Sequence, residues 1–380
     1  MKIILAPDSF KGSLSSINVI RIMKQVIHDE WPSAEVIGVP MADGGEGTLD
    51  CVLSIPGAAL AEVSVHDPLH RIHTARYIRI PAIGTAVIEM AEASGLLLVE
   101  KQLRDPMIST TFGCGELITD ALNNELRKFI FFLGGSATND AGAGLMAALG
   151  VKFYQDSALL HPSPDNLENC TRIDFSTVDP RLTECEVTIA TDVNNPLCGK
   201  TGASYIFGPQ KGADDEMLQK LDSILSHLAD LIETELHVDL RTIQGTGAAG
   251  GLALGLLSVM QGKIVSGIET IIELTNFEKI IQNADLVFTG EGNTDNQTAF
   301  GKTPIGVARA TKKYNVPVIC ISGGLSPSLN VSSLSEIDAF FGSIPCPMTI
   351  EQAIENSELN LTSITRSVIR TLKIGLNLIK

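Results

Sequence analysis

Residues 1–48 read MKIILAPDSFKGSLSSINVIRIMKQVIHDEWPSAEVIGVPMADGGEGT. The apolar run from Ile3 to Ala6 breaks into the polar turn Pro7-Asp8-Ser9. Ile17, Ile20, Met23 and Ile27 then recur at a spacing that puts them on one face of a helix. A second apolar run, Val36 to Val39, ends at Pro40 and opens into the glycine- and acid-rich MADGGEGT. Strand, loop, helix, strand, loop, helix is the rhythm of a parallel sheet with crossover helices. The rhythm returns near the C-terminus. There LVFTGEG, VPVICISGG and AFFGSIP are three short buried-type strands with helical stretches between them, and Ile364, Val368 and Leu372 mark a closing amphipathic helix. Two N-terminal and three C-terminal strands make a flavodoxin-like doubly wound parallel sheet.

Between these ends the pattern changes. AEVSV, ARYIRI and TAVIEM, from Glu62 to Met90, are separated by turn residues and predict antiparallel strands. A helix is expected around Gly115–Leu122, a strand at FIFFL, a polar excursion from Asp156 to Arg181 and a strand at VTIAT. Leu218, Leu221, Leu225, Leu228 and Leu231 predict an amphipathic helix over 215–234. The expected organisation is therefore α/β throughout. Residues 1–61 and 286–380 form a discontinuous flavodoxin-like domain, residues 62–285 form a second α/β domain inserted into it, and an active site lies in the cleft between them.

With 380 residues, 44% of them hydrophobic, the chain is long enough for two cores. A formal charge of -16 repels phosphate backbones, and an aromatic content of 5% leaves little for base stacking, so nucleic acid is not an expected partner. The opening MKIILAPDSF reads as a strand rather than a signal peptide, and no stretch has the length of a membrane span. Seven cysteines without a Cys-x-x-Cys pair suit a reducing cytoplasm.

Ligands of open α/β sheets bind beyond the carboxyl ends of the strands, so the residues that follow each strand carry the functional reading. They are Asp8, Ser9 and Lys11 after the first; Asp43, Gly44, Gly45 and Glu46 after the second; Gly134, Gly135, Ser136 and Thr138 after FIFFL; Asp192 after VTIAT; Glu291 and Asp295 after LVFT. Glycines admit an anion close to backbone N–H groups, carboxylates beside phosphate hold Mg²⁺, and a lysine offsets developing charge. Together these are the needs of phosphoryl transfer. Taken singly, each Gly-Gly is also a tight turn and each Asp a helix cap.

Other motifs fall short. Gly301-Lys302-Thr303 and Gly199-Lys200-Thr201 supply the tail of a P-loop, but Asn296 and Asn194 stand where its first glycine belongs. Gly245, Gly247 and Gly250 fit a dinucleotide fingerprint that follows a helix-like segment instead of a strand, which weakens a nicotinamide oxidoreductase reading. His66, His70 and His73 are close in sequence, but Pro68 interrupts the helix on which a zinc pair would sit.

The blocks APDSFKGSLSS, PMADGGEGT, GGSATNDAGAG, DVNNPLCG with GAS and FGPQKGA, GTGAAGGL and TGEGNTDNQTAFGKTPIGVA resemble, in order and over nearly the whole chain, the bacterial type I glycerate kinases. The resemblance implies ATP- and Mg²⁺-dependent phosphorylation of D-glycerate, usually at the 2-hydroxyl, and a flavodoxin-like domain carrying an inserted one. For that reaction the chemistry of the strand-end residues makes Asp8, Lys11 and Asp192 the catalytic candidates. Ser9, Asp43, Gly44, Gly45, Glu46 and Ser136 are the candidates for substrate. Gly134, Gly135, Thr138, Gly245, Gly247 and Gly250 are the candidates for the ATP phosphates, and Asp192, Glu291 and Asp295 for Mg²⁺. The alternatives are phosphorylation of the 3-hydroxyl, another small hydroxy-acid as acceptor, or a non-catalytic small-anion-binding protein. Small molecules are the expected partners, and a homodimer is one option for assembly.

Overall fold

The computed structural model describes residues 1–45, 47–296 and 298–378. The chain divides into two compact units, Met1–Ile55 with Ser266–Lys380, and Pro56–Val265. The helices Gly267–Leu274 and Phe277–Ile281 belong with the first unit, so the second crossing falls twenty residues before the expected 285. Packing accounts for this: a Cβ on Gly306 would collide with Ile268, so the helix Thr303–Lys312 is bare at this point to admit it.

In the first unit the strands lie in the spatial order Ala339–Gly342, Val318–Ser322, Leu286–Thr289, Lys2–Leu5, Glu35–Gly38, every neighbouring pair parallel. Numbered along the chain this is 2-1-3-4-5, the flavodoxin order, with its switch point between the first and third strands. Ile3, Leu5, Phe288 and Ile321 of the sheet share a core with Val19, Ile22, Met23 and Ile27 of the helix Ser16–Glu30, and with Val368 and Ile369 of the helix Ser357–Leu378. The buried face of Ser16–Glu30 is thus rotated from the predicted one. Met23 and Ile27 keep their place, but Ile17 is 47% exposed and Val19, Ile22 and Val26 complete the stripe. The isoleucine spacing alone did not distinguish the two phases. The side-chain oxygen of Ser15 caps this helix by accepting from the N–H of Asn18 at 3.2 Å.

The second unit is built on a six-stranded sheet in the order Gln261–Val265, Glu186–Ala190, Lys128–Phe132, Thr85–Glu89, Ile72–Ile80, Ala59–His66. Its first four strands are parallel and the last two run antiparallel, as the AEVSV and ARYIRI segments predict. The helix Asp215–Leu236 buries Leu218, Leu221, Ile224, Leu225, Leu228 and Ile232. The polar excursion folds into the strands Ala158–Leu159 and Arg172–Asp174, paired on Lys152–Gln155, with a short helix Pro164–Leu167. No described helix is long and apolar enough to cross a membrane.

Candidate active site

The five parallel strands of the first unit deliver their C-terminal loops to one cavity of about 650 Å³. Asp8, Ser9 and Lys11 come from the first strand, Asp43 and Gly45 from the second, Glu291 and Asp295 from the third, Gly323 and Gly324 from the fourth, and Ser343 and Ile344 from the fifth. Sequence reasoning nominated the first seven of these, and the fold brings them together. Glu46 lies outside the described residues.

The loops are tightly mounted. The N–H groups of Gly323 and Gly324 donate to the carbonyls of Glu291 and Gly292, both at 3.0 Å. A Cβ at Gly290 would strike the Ile321 carbonyl oxygen, so glycine there serves the close approach of two strand ends rather than an anion. Gly44, at φ 96°, takes a left-handed turn that lets Gly45 N–H donate to Asp43 Oδ1 at 3.1 Å.

Asp8 is held by two donors: its own neighbour's backbone, Ser9 N–H to Oδ1 at 2.6 Å, and the Thr303 hydroxyl to Oδ2 at 2.6 Å. Burial pushes its carboxyl up to about 8, and the like charges of Asp43 and Glu291 push the same way, against those two hydrogen bonds. Burial also raises Glu291, whose Oε1 accepts from the hydroxyls of Thr298 at 2.7 Å and Thr294 at 3.2 Å. Lys302 reaches Asp295 at 3.8 Å.

Carboxylates that disfavour each other's ionisation form a donor set that suits a divalent cation, so the residues present fit Mg²⁺. Among the described residues no three His, Cys, Asp or Glu side chains are grouped as a metal cage. Mg²⁺ commonly takes only one or two protein carboxylates and completes its shell with water and phosphate.

Thr303, Lys302, Thr294 and Thr298 were missed as site residues. The signal existed: Gly301-Lys302-Thr303 has the tail of a phosphate loop, set aside for want of the first glycine. It is no P-loop, but Lys302 lines the cavity and Thr303, first residue of the helix Thr303–Lys312, braces Asp8.

The remaining candidates stand in the second unit. Asp192 follows the strand Glu186–Ala190. Gly134, Gly135, Ser136 and Thr138 follow Lys128–Phe132. Gly245, Gly247 and Gly250 precede the helix Leu252–Val259 and follow turns, not the strand that a dinucleotide fingerprint requires. These glycines have packing tasks. A Cβ at Gly247 would collide with the Pro196 carbonyl, and one at Gly250 with that of Thr138, so the two glycine-rich loops lie against each other. Asp140 is fully buried and accepts from the N–H groups of Thr111, Gly142 and Gly144 and from the Thr111 hydroxyl, at 2.8 to 3.1 Å.

Lys211, from the FGPQKGA block, was not nominated. It is 1% exposed and donates to Ser136 Oγ at 2.8 Å and the Thr138 carbonyl at 2.6 Å. Burial brings its ammonium down to about 7, with Asp140 opposing. The His cluster also differs from the sequence pattern. His66 and His70 stack edge to face at 5.5 Å between ring centres, His161 joins at 4.4 Å from His70, and His73 lies on the strand Ile72–Ile80. His66 Nδ1 lies 2.9 Å from Glu116 Oε1.

A family model described as the Glycerate kinase family matches residues 3–373. The chain is 42% identical to a protein named glycerate kinase from Bacillus cereus over 376 residues, 99% of each. It is 41% identical to one named glycerate 2-kinase from Escherichia coli K12 over 377 residues, again 99% of each. A crystal structure from Salmonella typhimurium LT2, described as a candidate glycerate kinase 2, superposes with a TM-score of 0.89 at 42% identity, covering 99% of both chains. With a sheet in flavodoxin order, carboxylates and lysines at its strand ends and this match along nearly the entire length, the chain belongs to the glycerate kinase family.

Proposed function

We propose that the chain uses ATP to phosphorylate D-glycerate at its 2-hydroxyl, giving 2-phosphoglycerate and ADP. The observation that carries the reading is family membership along nearly the whole chain, with Asp8, Asp43, Glu291, Lys11 and Lys302 lining one cavity. The E. coli relative, named for the 2-position, supports that regiochemistry.

The 2-hydroxyl oxygen attacks the γ-phosphorus. The bond from that phosphorus to the β,γ-bridging oxygen breaks, ADP leaves with the electron pair, and the hydroxyl proton passes to Asp8. With its carboxyl raised to about 8, Asp8 accepts the proton once ionised, a form that a bound cation would favour, and Thr303 and the Ser9 N–H keep its oxygens oriented. Lys11 and Lys302 offset charge on the phosphoryl oxygens, and Asp43 with Ser9 orients the acceptor. Glu291 and Asp295 would hold Mg²⁺, which when bound neutralises the phosphates and draws charge off the transferring group. Free thiols at all seven cysteines support a place in the reducing cytoplasm.

The test is incubation with ATP, Mg²⁺ and racemic glycerate, with products read by NMR. The D enantiomer is expected to yield 2-phosphoglycerate. 3-Phosphoglycerate would move the acceptor oxygen, and absence of any phosphoester would refute the kinase. Lys11→Ala is expected to cut kcat. Near-normal turnover by that variant, in folded protein, would relocate the site.

A further inference from the structure

The cavity has a second pole that phosphoryl transfer does not use. Ile344, Met348, Ile350, Ala353 and Ile354 line it opposite in character to the acids and lysines. Ile350 is 75% exposed, Ile354 41% and Ile344 40%. The helix Ile350–Glu355 buries none of its residues, and Ile350 and Ile354, one turn apart, both border the cavity.

This apolar wall is held in place. Thr349 Oγ1 accepts from the Gln352 N–H at 3.3 Å while Gln352 Oε1 accepts from the Thr349 N–H at 3.1 Å, a closed capping box that sets the helix start. Ser343, beside Ile344, donates its N–H to the Ser322 carbonyl at 2.8 Å and its hydroxyl to that of Gly323 at 3.0 Å. An apolar surface kept rigid and open to water lacks a partner, and the cavity continues from it to Asp8 and Lys11.

Glycerate cannot be that partner, because every carbon of the acid bears oxygen. At about 650 Å³ the space also suits a drug-sized ligand rather than a three-carbon acid. A purine nucleotide has both characters: an apolar ring face at one end and a charged phosphate chain at the other. We infer that Ile344, Met348, Ile350 and Ile354 form the subsite for the nucleotide base, so the donor nucleotide is seated in the first unit with its phosphates directed to Lys11 and Lys302. This rests on reading the cavity as a phosphoryl-transfer site.

Calorimetric titration with ADP and, separately, inorganic tripolyphosphate tests it on the full chain and on Ile350→Ser and Ile354→Ser, neutral changes that add no charge near the phosphates. Ile350→Leu serves as the conservative control, and thermal midpoints check folding. The serine variants are expected to raise the Kd for ADP, and the KM for ATP, about tenfold. Tripolyphosphate affinity and the KM for glycerate should stay within twofold, and Ile350→Leu should bind ADP normally. Unchanged ADP affinity, equal loss of tripolyphosphate, a shift falling on glycerate, or a parent chain that binds no ADP overturns the inference. If the serine variants lose ADP but no chain phosphorylates glycerate, the subsite stands and the kinase reading falls. If glycerate is phosphorylated with ADP affinity unmoved, the reverse holds.

Discussion

The strand-end loops of the two units share one composition, glycine with carboxylate, and come to different ends. In the first unit Asp8 faces Asp43 and Glu291 across an open cavity, with a carboxyl raised to about 8. In the second unit Asp140 accepts four hydrogen bonds and is fully buried, and the glycines around it let two loops touch. A carboxylate held by four donors organises a loop. One that retains unfavourable neighbours is available for a cation or a proton. Local composition does not distinguish the two, but hydrogen-bond inventory does.

The comparison breaks most directly at the two aspartates. Asp8→Asn is expected to lower kcat by about 10²–10⁴, as for loss of a general base, while raising the thermal midpoint at neutral pH, where the ionised buried carboxyl disfavours the fold. A normal rate would place Asp8 among structural residues. Asp140→Asn should do the opposite. Its amide would present N–H to donors, costing about 2–4 kcal/mol in denaturant unfolding, and this loss of stability should precede any specific effect on turnover. A smaller effect separates Asp8 from its brace. Thr303→Val should cost roughly tenfold in kcat and Thr303→Ser much less, because one charge-assisted hydrogen bond is at stake. Equal rates for Val and Ser would mean the hydroxyl is not used.

The gentlest probe is the pH dependence of stability, in EDTA and without nucleotide. Asp8 is held above its ordinary 3.8, so the folded chain binds more protons than the unfolded one between about 4 and 8, and stability falls as pH rises through that window. Lys211 is held below its ordinary 10.5, so the unfolded chain binds more protons between about 7 and 10.5, and stability rises with pH there. Each slope is at most about 1.4 kcal/mol per pH unit. Asp8→Asn should flatten the first and Lys211→Met the second; a variant that leaves its own limb intact would put the responsible proton elsewhere.

Much of the first unit could be read directly from residue order. Short apolar runs ending in polar turns locate parallel strands, and strands of that kind present their ligands at their C-terminal ends, so Asp8, Asp43 and Glu291 follow without a structure. Thr303 could not be found that way. It is 295 residues from Asp8, and only the adjacency of the first and third strands with the following helix brings its hydroxyl to 2.6 Å. The same holds for the apolar wall. Ile350 and Ile354 lie four residues apart on one helix face, and only their exposure in the folded chain distinguishes them from core residues. In the helix Ser16–Glu30, Ile17 fitted the spacing as well as Val19 did, and contact with the sheet and the C-terminal helix selected between them.

By itself the sequence determined the α/β class, the sheet formed from the two ends of the chain and the acids at its strand ends. These depend on hydrophobic period and turn chemistry, which act over a few neighbouring residues. Tertiary structure decided which carboxylates keep like-charged neighbours, which glycines serve packing, and that an apolar wall and an acidic pole share one cavity. Hydrogen-bond partners and burial are set by residues hundreds of positions apart, and only the folded chain brings them within reach.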